Sequence, residues 1–173
     1  LEEVKKAQSS VNTSSTNSSS SASNTTSQNT SGNTQTTPQV PMSSALGLSG
    51  VDMSYQGIEV RDSYTTSIFD MSPNPGNKYL VMKFRVANTS GGDNNVDVLS
   101  MNPKFKATIN GNISANNELT LMPEDLSTFK GIIKAGESQD VILLFQFKAG
   151  DLSNVQGASL KCTVKGSTND IIL

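Results

Sequence analysis

Two regimes of polarity meet near residue 48. From there to the C-terminus, apolar and polar side chains alternate in short runs, the period-two pattern of strands with one buried face. The run 79–87 is the clearest: Leu80, Met82, Phe84 and Val86 share one side, with Tyr79, Val81, Lys83 and Arg85 on the other. It predicts a core strand. The run 140–148 repeats the alternation with Val141, Leu143, Phe145 and Phe147 inward, while Ile142 and Leu144 make its opposite side apolar as well. That double-sided character predicts a central place in a sheet. Weaker alternations predict strands at Ile58 and Val60, at Phe105, Ala107 and Ile109, and at Leu160, Cys162 and Val164; three more are expected at 96–101, 129–133 and 169–173.

Turn-forming clusters separate these runs: Pro73 to Asn77, Ser90 to Asp93, Asn110-Gly111-Asn112, Ala135-Gly136-Glu137 and Ala149-Gly150-Asp151. Asn110-Gly111 is the strongest hairpin signal, because a type I′ turn needs positive φ at both central residues. No window holds a helix longer than a turn or two, although 151–155 has the makings of a single turn. About seven or eight short antiparallel strands at this spacing predict an all-β fold, an immunoglobulin-like β-sandwich over residues 48–173.

The first 47 residues follow no such period. Between Ser9 and Thr37, 26 of 29 residues are Ser, Thr, Asn or Gln, and no charged side chain occurs from Ala7 to Val51. Such a segment buries too little apolar surface to offset the entropy of ordering it, so it is expected to be a disordered linker spanning about 35–40 Å as a flexible coil. Leu1 is not an initiator methionine, and the chain reads as trimmed. A Ser/Thr/Asn-rich stalk suits an exported protein better than a cytosolic one. Asn-x-Ser/Thr triplets at Asn12, Asn17, Asn24, Asn29, Asn88 and Asn112 are read as products of this composition rather than as glycosylation sites.

Composition removes several chemistries. The chain has no histidine, which excludes imidazole-dependent hydrolases and His-based zinc sites, and its one cysteine, Cys162, cannot form an internal disulfide. A formal charge of -2 without a run of Lys or Arg gives no footprint for nucleic acid. Cys162, flanked at alternate positions by Leu160 and Val164, reads as a buried, inert thiol. Glu124 and Asp125 read as a polar loop tip, since adjacent carboxylates in an extended chain point to opposite faces. Asp93, Asn95 and Asp97, after Gly91-Gly92, offer oxygen ligands of the kind calcium takes, but Val98 and Lys104 stand where an EF-hand needs Gly and Glu, so a solvated loop is favoured. No cofactor is expected. The mixed strip of Tyr79, Val81, Lys83 and Arg85, with Ile142 and Leu144 beside it if the two strands pair, is the expected interaction surface, set against the alternative that a loop covers it.

The run Pro75-Gly76-Asn77-Lys78-Tyr79-Leu80-Val81-Met82-Lys83-Phe84-Arg85-Val86-Ala87-Asn88-Thr89-Ser90, followed by Ile133-Lys134-Ala135-Gly136-Glu137-Ser138 and the strand at 141–147, resembles a family of exported bacterial domains of unknown function. These are immunoglobulin-like sandwiches related to the mycobacterial secreted immunoprotective antigens, and many are lipoproteins with a polar linker after an anchored cysteine. Residues 53–164 carry the resemblance, and its motifs build turns and strands. The anchoring cysteine has no counterpart here. The resemblance implies an extracellular domain held at the outer face of a bacterial membrane by a lipid anchor upstream of Leu1, its signal peptide removed. The expected role is non-enzymatic binding of a protein or cell-envelope partner through a sheet face or end loops, as a monomer or a weak dimer formed by strand pairing. A ligand- or calcium-sensing module built on Gly91 to Asp97 is the alternative.

Overall fold

The computed structural model describes residues 38–173. The expectations for residues 1–37, a disordered linker and the triplets at Asn12, Asn17, Asn24 and Asn29, lie outside the described residues. In chain order the strands are β1 (Gln39–Val40), β2 (Val51–Arg61), β3 (Tyr64–Thr65), β4 (Asp70–Met71), β5 (Asn77–Asn88), β6 (Asn94–Asp97), β7 (Lys104–Ile109), β8 (Ile113–Asn116), β9 (Lys130–Ile133), β10 (Ser138–Lys148), β11 (Ala158–Val164) and β12 (Ser167–Ile171). A four-residue helix, α1 (Met42–Ala45), follows β1.

Three strands, in the order β10-β5-β2, form one sheet and five, in the order β1-β12-β11-β7-β8, form the other; β3-β4 and β6-β9 are separate two-stranded ribbons. Leu80, Met82, Phe84 and Val86 of β5 and Val141, Leu143, Phe145 and Phe147 of β10 share one buried cluster with Phe105, Ala107 and Ile109 of β7 and with Leu160 and Cys162 of β11. The period-two reading of these runs therefore holds side chain by side chain. Each large apolar group so buried contributes about 1.5–3 kcal/mol. The result is an all-β sandwich in which the chain passes repeatedly between sheets, as in immunoglobulin-like folds.

Four features depart from the expectations. β10 is not central: β5 lies between β10 and β2, and Ile142 and Leu144 are apolar because a second cluster covers the outside of this sheet. β1 pairs with β12 in parallel, so the sandwich is not wholly antiparallel. The folded unit reaches back past residue 48, since Met42 and Leu46 are buried in the core. In β2 the register shifts between Tyr55 and Gly57, a bulge at Gln56, with Gly57 at φ 113°. Val51, Met53 and Tyr55 face the core before it and Ile58 after it, so the phase flips and only the second half is visible as alternation.

Turns follow the local chemistry. Asn110 and Gly111 take φ of 49° and 80° between β7 and β8, the positive values that their hairpin requires. Lys165 and Gly166, at 50° and 84°, make the equivalent turn between β11 and β12. The expected strand at 96–101 stops at Asp97 and gives way to a 3-10 turn at Leu99–Met101.

Candidate functional site

The expected interaction strip is largely closed. Tyr79, Val81, Ile142 and Leu144 are buried in a cluster with Met122, against which Tyr64, Phe69 and Met71 pack. The covering pieces are the β3-β4 ribbon and the segment around Met122, so the loop-covered alternative describes this half of the strip. Lys83 and Arg85 remain at the surface: Arg85 forms a two-pronged bond with Asp140 (2.7 and 3.1 Å), and Lys83 approaches Glu59 at 3.6 Å.

One buried carboxylate organises the cover. Asp125 is 2% exposed, and its two oxygens accept the amide and hydroxyl of Thr120 and the amide and hydroxyl of Ser127, all within 2.8 Å. Neighbouring backbone bonds then tie the segment along β10: the Glu118 amide donates to the Leu144 carbonyl, and the Ile142 amide donates to the Glu124 carbonyl, both at 2.7 Å. Asp125 is thus a structural lock rather than a loop tip. Its lone pairs are spent on four donors, which leaves no carboxylate pair for acid–base work.

The other candidates are also structural. Asn88 is buried at the end of β5, where its amide group donates to the carbonyls of Gly92 and Ile133 and accepts from the Ser90 amide and hydroxyl. That accounts for Asn88-Thr89-Ser90, and it closes Asn88 to a glycan. Asp97 is engaged by Lys130 at 2.7 Å and by the Ser100 amide, contacts that hold its carboxyl below the usual range, Lys130 first. Asp93 accepts from the Ala135 amide, so Asp93 and Asp97 serve different partners. Among the described residues no group of three or more acidic, Cys or His side chains could hold a metal ion. Cys162 is fully buried, and burial pushes its thiol up to about 12.

An open site lies elsewhere. A groove of about 330 Å³ has Lys130 to Ile132 of β9 on one bank and Leu121 and Pro123 on the other. Leu121 is 82% exposed, Ile132 70% and Leu99 48%, while Phe129, Met122 and Ile133 form its buried floor. Large apolar side chains are thus left in water on both banks of one concave surface. Sequence reasoning missed it because Leu121 lies in a loop with no periodic neighbour, and in β9 the adjacent Ile132 and Ile133 give no alternation to show which of them faces out.

Fold and groove together define an all-β sandwich domain of unassigned function. No family model and no curated protein matches the chain. Among solved structures it is similar to an uncharacterized β-sandwich protein from Clostridium difficile 630 (14% identity, 71% of this chain and 85% of that one, TM-score 0.46). It is also similar to a conserved hypothetical protein from Bacillus anthracis (11% identity, 72% and 89%, TM-score 0.42). A third likeness is to a chain from Bacillus subtilis described as a candidate lipoprotein (16% identity, 70% and 36%, TM-score 0.34). Among the described residues, no helix is long and apolar enough to cross a membrane.

Proposed function

We propose that this chain is a non-enzymatic binding domain of a bacterial cell surface, which recognises its partner through the groove beside β9. The observation that carries the reading is the clustering of Leu99, Leu121 and Ile132 in water around one groove. The groups nearest in type to catalytic ones point the same way, because Asp125, Asn88 and Cys162 are consumed in holding the fold. Surface display is supported by the charge-free, Ser/Thr/Asn-rich composition of residues 7–37 and by the resemblance of residues 53–164 to exported domains. A lipid anchor upstream of Leu1 belongs to the same proposal. Brief treatment of intact source cells with proteinase K tests it: the protein is expected to be degraded while a cytosolic marker survives. Protection equal to that of the marker would overturn the surface assignment.

A further inference from the structure

The groove is bordered by unpaired backbone as well as by apolar side chains. Among the described residues β9 pairs only with β6, in the register Asn94↔Ile133, Asn95↔Ile132, Val96↔Gly131 and Asp97↔Lys130. The Val98 amide donates to the Phe129 carbonyl one step beyond that ladder. In an antiparallel pair, hydrogen-bonded and non-hydrogen-bonded positions alternate. Val98 opposite Phe129 is bonded, so Val96 with Gly131 and Asn94 with Ile133 are bonded as well, and Asn95 with Ile132 is not. The N–H and C=O of Ile132 therefore point away from β6, along the free edge of β9.

We infer that this edge accepts an extended peptide as an added strand, and that the peptide carries an apolar residue flanked two positions away on each side by acidic ones. The inference rests on the proposed reading of the groove as the recognition surface. Side chains alternate along β9, so Lys130, Ile132 and Lys134 share its outward side while Ile133 is buried. Lys134 makes no ion pair among the described residues, and Lys130 reaches only Asp97. Charge also argues against a second copy as the occupant. Antiparallel pairing of two β9 edges about Ile132 would set Lys130 opposite Lys134 at both ends, and like charges directly opposite destabilise a strand pair. A strand with acidic residues at those two places is complementary, its apolar residue meets Ile132, and Leu121 and Leu99 lie alongside to bury it.

The test is an NMR titration of the full chain with three blocked heptapeptides: Ser-Glu-Thr-Val-Thr-Glu-Ser, the same peptide with Lys for Glu, and the same peptide with Pro for Val. With the acidic peptide, amide exchange of Ile132 is expected to slow by about tenfold or more, and the lysine and proline peptides are expected to bind about tenfold more weakly. Lys134→Glu should abolish most of the preference between the acidic and lysine peptides without altering the far-UV spectrum, since each peptide then meets one matched and one mismatched charge. Equal binding of the acidic and lysine peptides overturns the proposal. Protection of Ile132 before any peptide is added assigns the edge to the chain itself and also overturns it. Shifts of the Leu99 and Leu121 methyls without slowed exchange at Ile132 would exclude strand addition while keeping the groove as the binding surface. No change at any groove residue would remove both.

Discussion

The carboxylate of Asp125 accepts both the amide and the hydroxyl of Thr120, at 2.8 and 2.6 Å. Its other oxygen takes the same two groups from Ser127, so one buried side chain holds both ends of the segment that carries Met122 onto the outer cluster. Asp125→Ala strands four donors and loosens that cover, with an expected loss of about 2–4 kcal/mol. Urea unfolding should show it, together with new binding of an apolar dye as Tyr79, Val81, Ile142 and Leu144 become accessible. A loss below about 0.5 kcal/mol would contradict the lock.

Acid should act through three surface carboxylates. Arg61 holds Glu59 below its ordinary 4.5, and Lys130 and Arg85 hold Asp97 and Asp140 below their ordinary 3.8, in each case mainly by a side-chain hydrogen bond. A carboxylate depressed by folding contributes fully above its unfolded value, and that contribution is lost as pH falls through the lower folded value. Since there is no histidine to titrate nearer neutrality, the urea midpoint should be flat from about pH 8 to about pH 5.5 and fall below about pH 4.5. Asp140→Asn should shallow the acid limb. An unchanged limb in that variant would show that the pair with Arg85 contributes nothing on folding.

Cys162 should be silent to thiol reagents in the folded chain. Its thiol is pushed up to about 12 by burial between the sheets, so at pH 8 it is neither ionised nor reachable. Labelling with a disulfide reagent is expected to proceed only at the rate at which the chain unfolds, and to complete in denaturant. Cys162→Ser places a hydroxyl among apolar neighbours and should cost about 1–3 kcal/mol.

Gly57 and Gly91 make a matched pair of glycines. A Cβ at either would meet nothing within 4 Å, but Gly57 sits at φ 113° in the β2 bulge and Gly91 has no positive φ. Gly57→Ala is expected to cost about 1–3 kcal/mol through backbone strain alone, and Gly91→Ala to stay within about 0.5 kcal/mol of neutral. Thermal melts of the two variants side by side decide it. Equal effects would mean that the bulge relaxes.

The sandwich was legible wherever one strand carries its own pattern. Leu80, Met82, Phe84 and Val86 mark β5 without outside help, and Asn110-Gly111 marks its hairpin, because both depend on neighbours in sequence. What escaped depends on partners far along the chain. Tyr79 and Val81 alternate as an outer face should, yet Met122 buries them, a relation set by Asp125 some forty residues on. β1 and α1 were lost in a polar run because Val40, Met42 and Leu46 gain meaning only against β12 and the core. Lys165-Gly166 turns as Asn-Gly would, without the residue that announces it. The groove was invisible for a related reason: Leu121 and Ile132 are unremarkable alone and acquire significance only by facing each other.

The parallel ladder of β1 with β12 also sets an order of mechanical failure. A pull applied to the chain at residue 38 arrives first at Gln39 and Val40, which are joined to Asp170 and Ile171 by two residue pairs. Behind that short ladder, Met42 and Leu46 are embedded in the core. Tension therefore peels a few residues of chain before it reaches a side chain whose removal would open the interior.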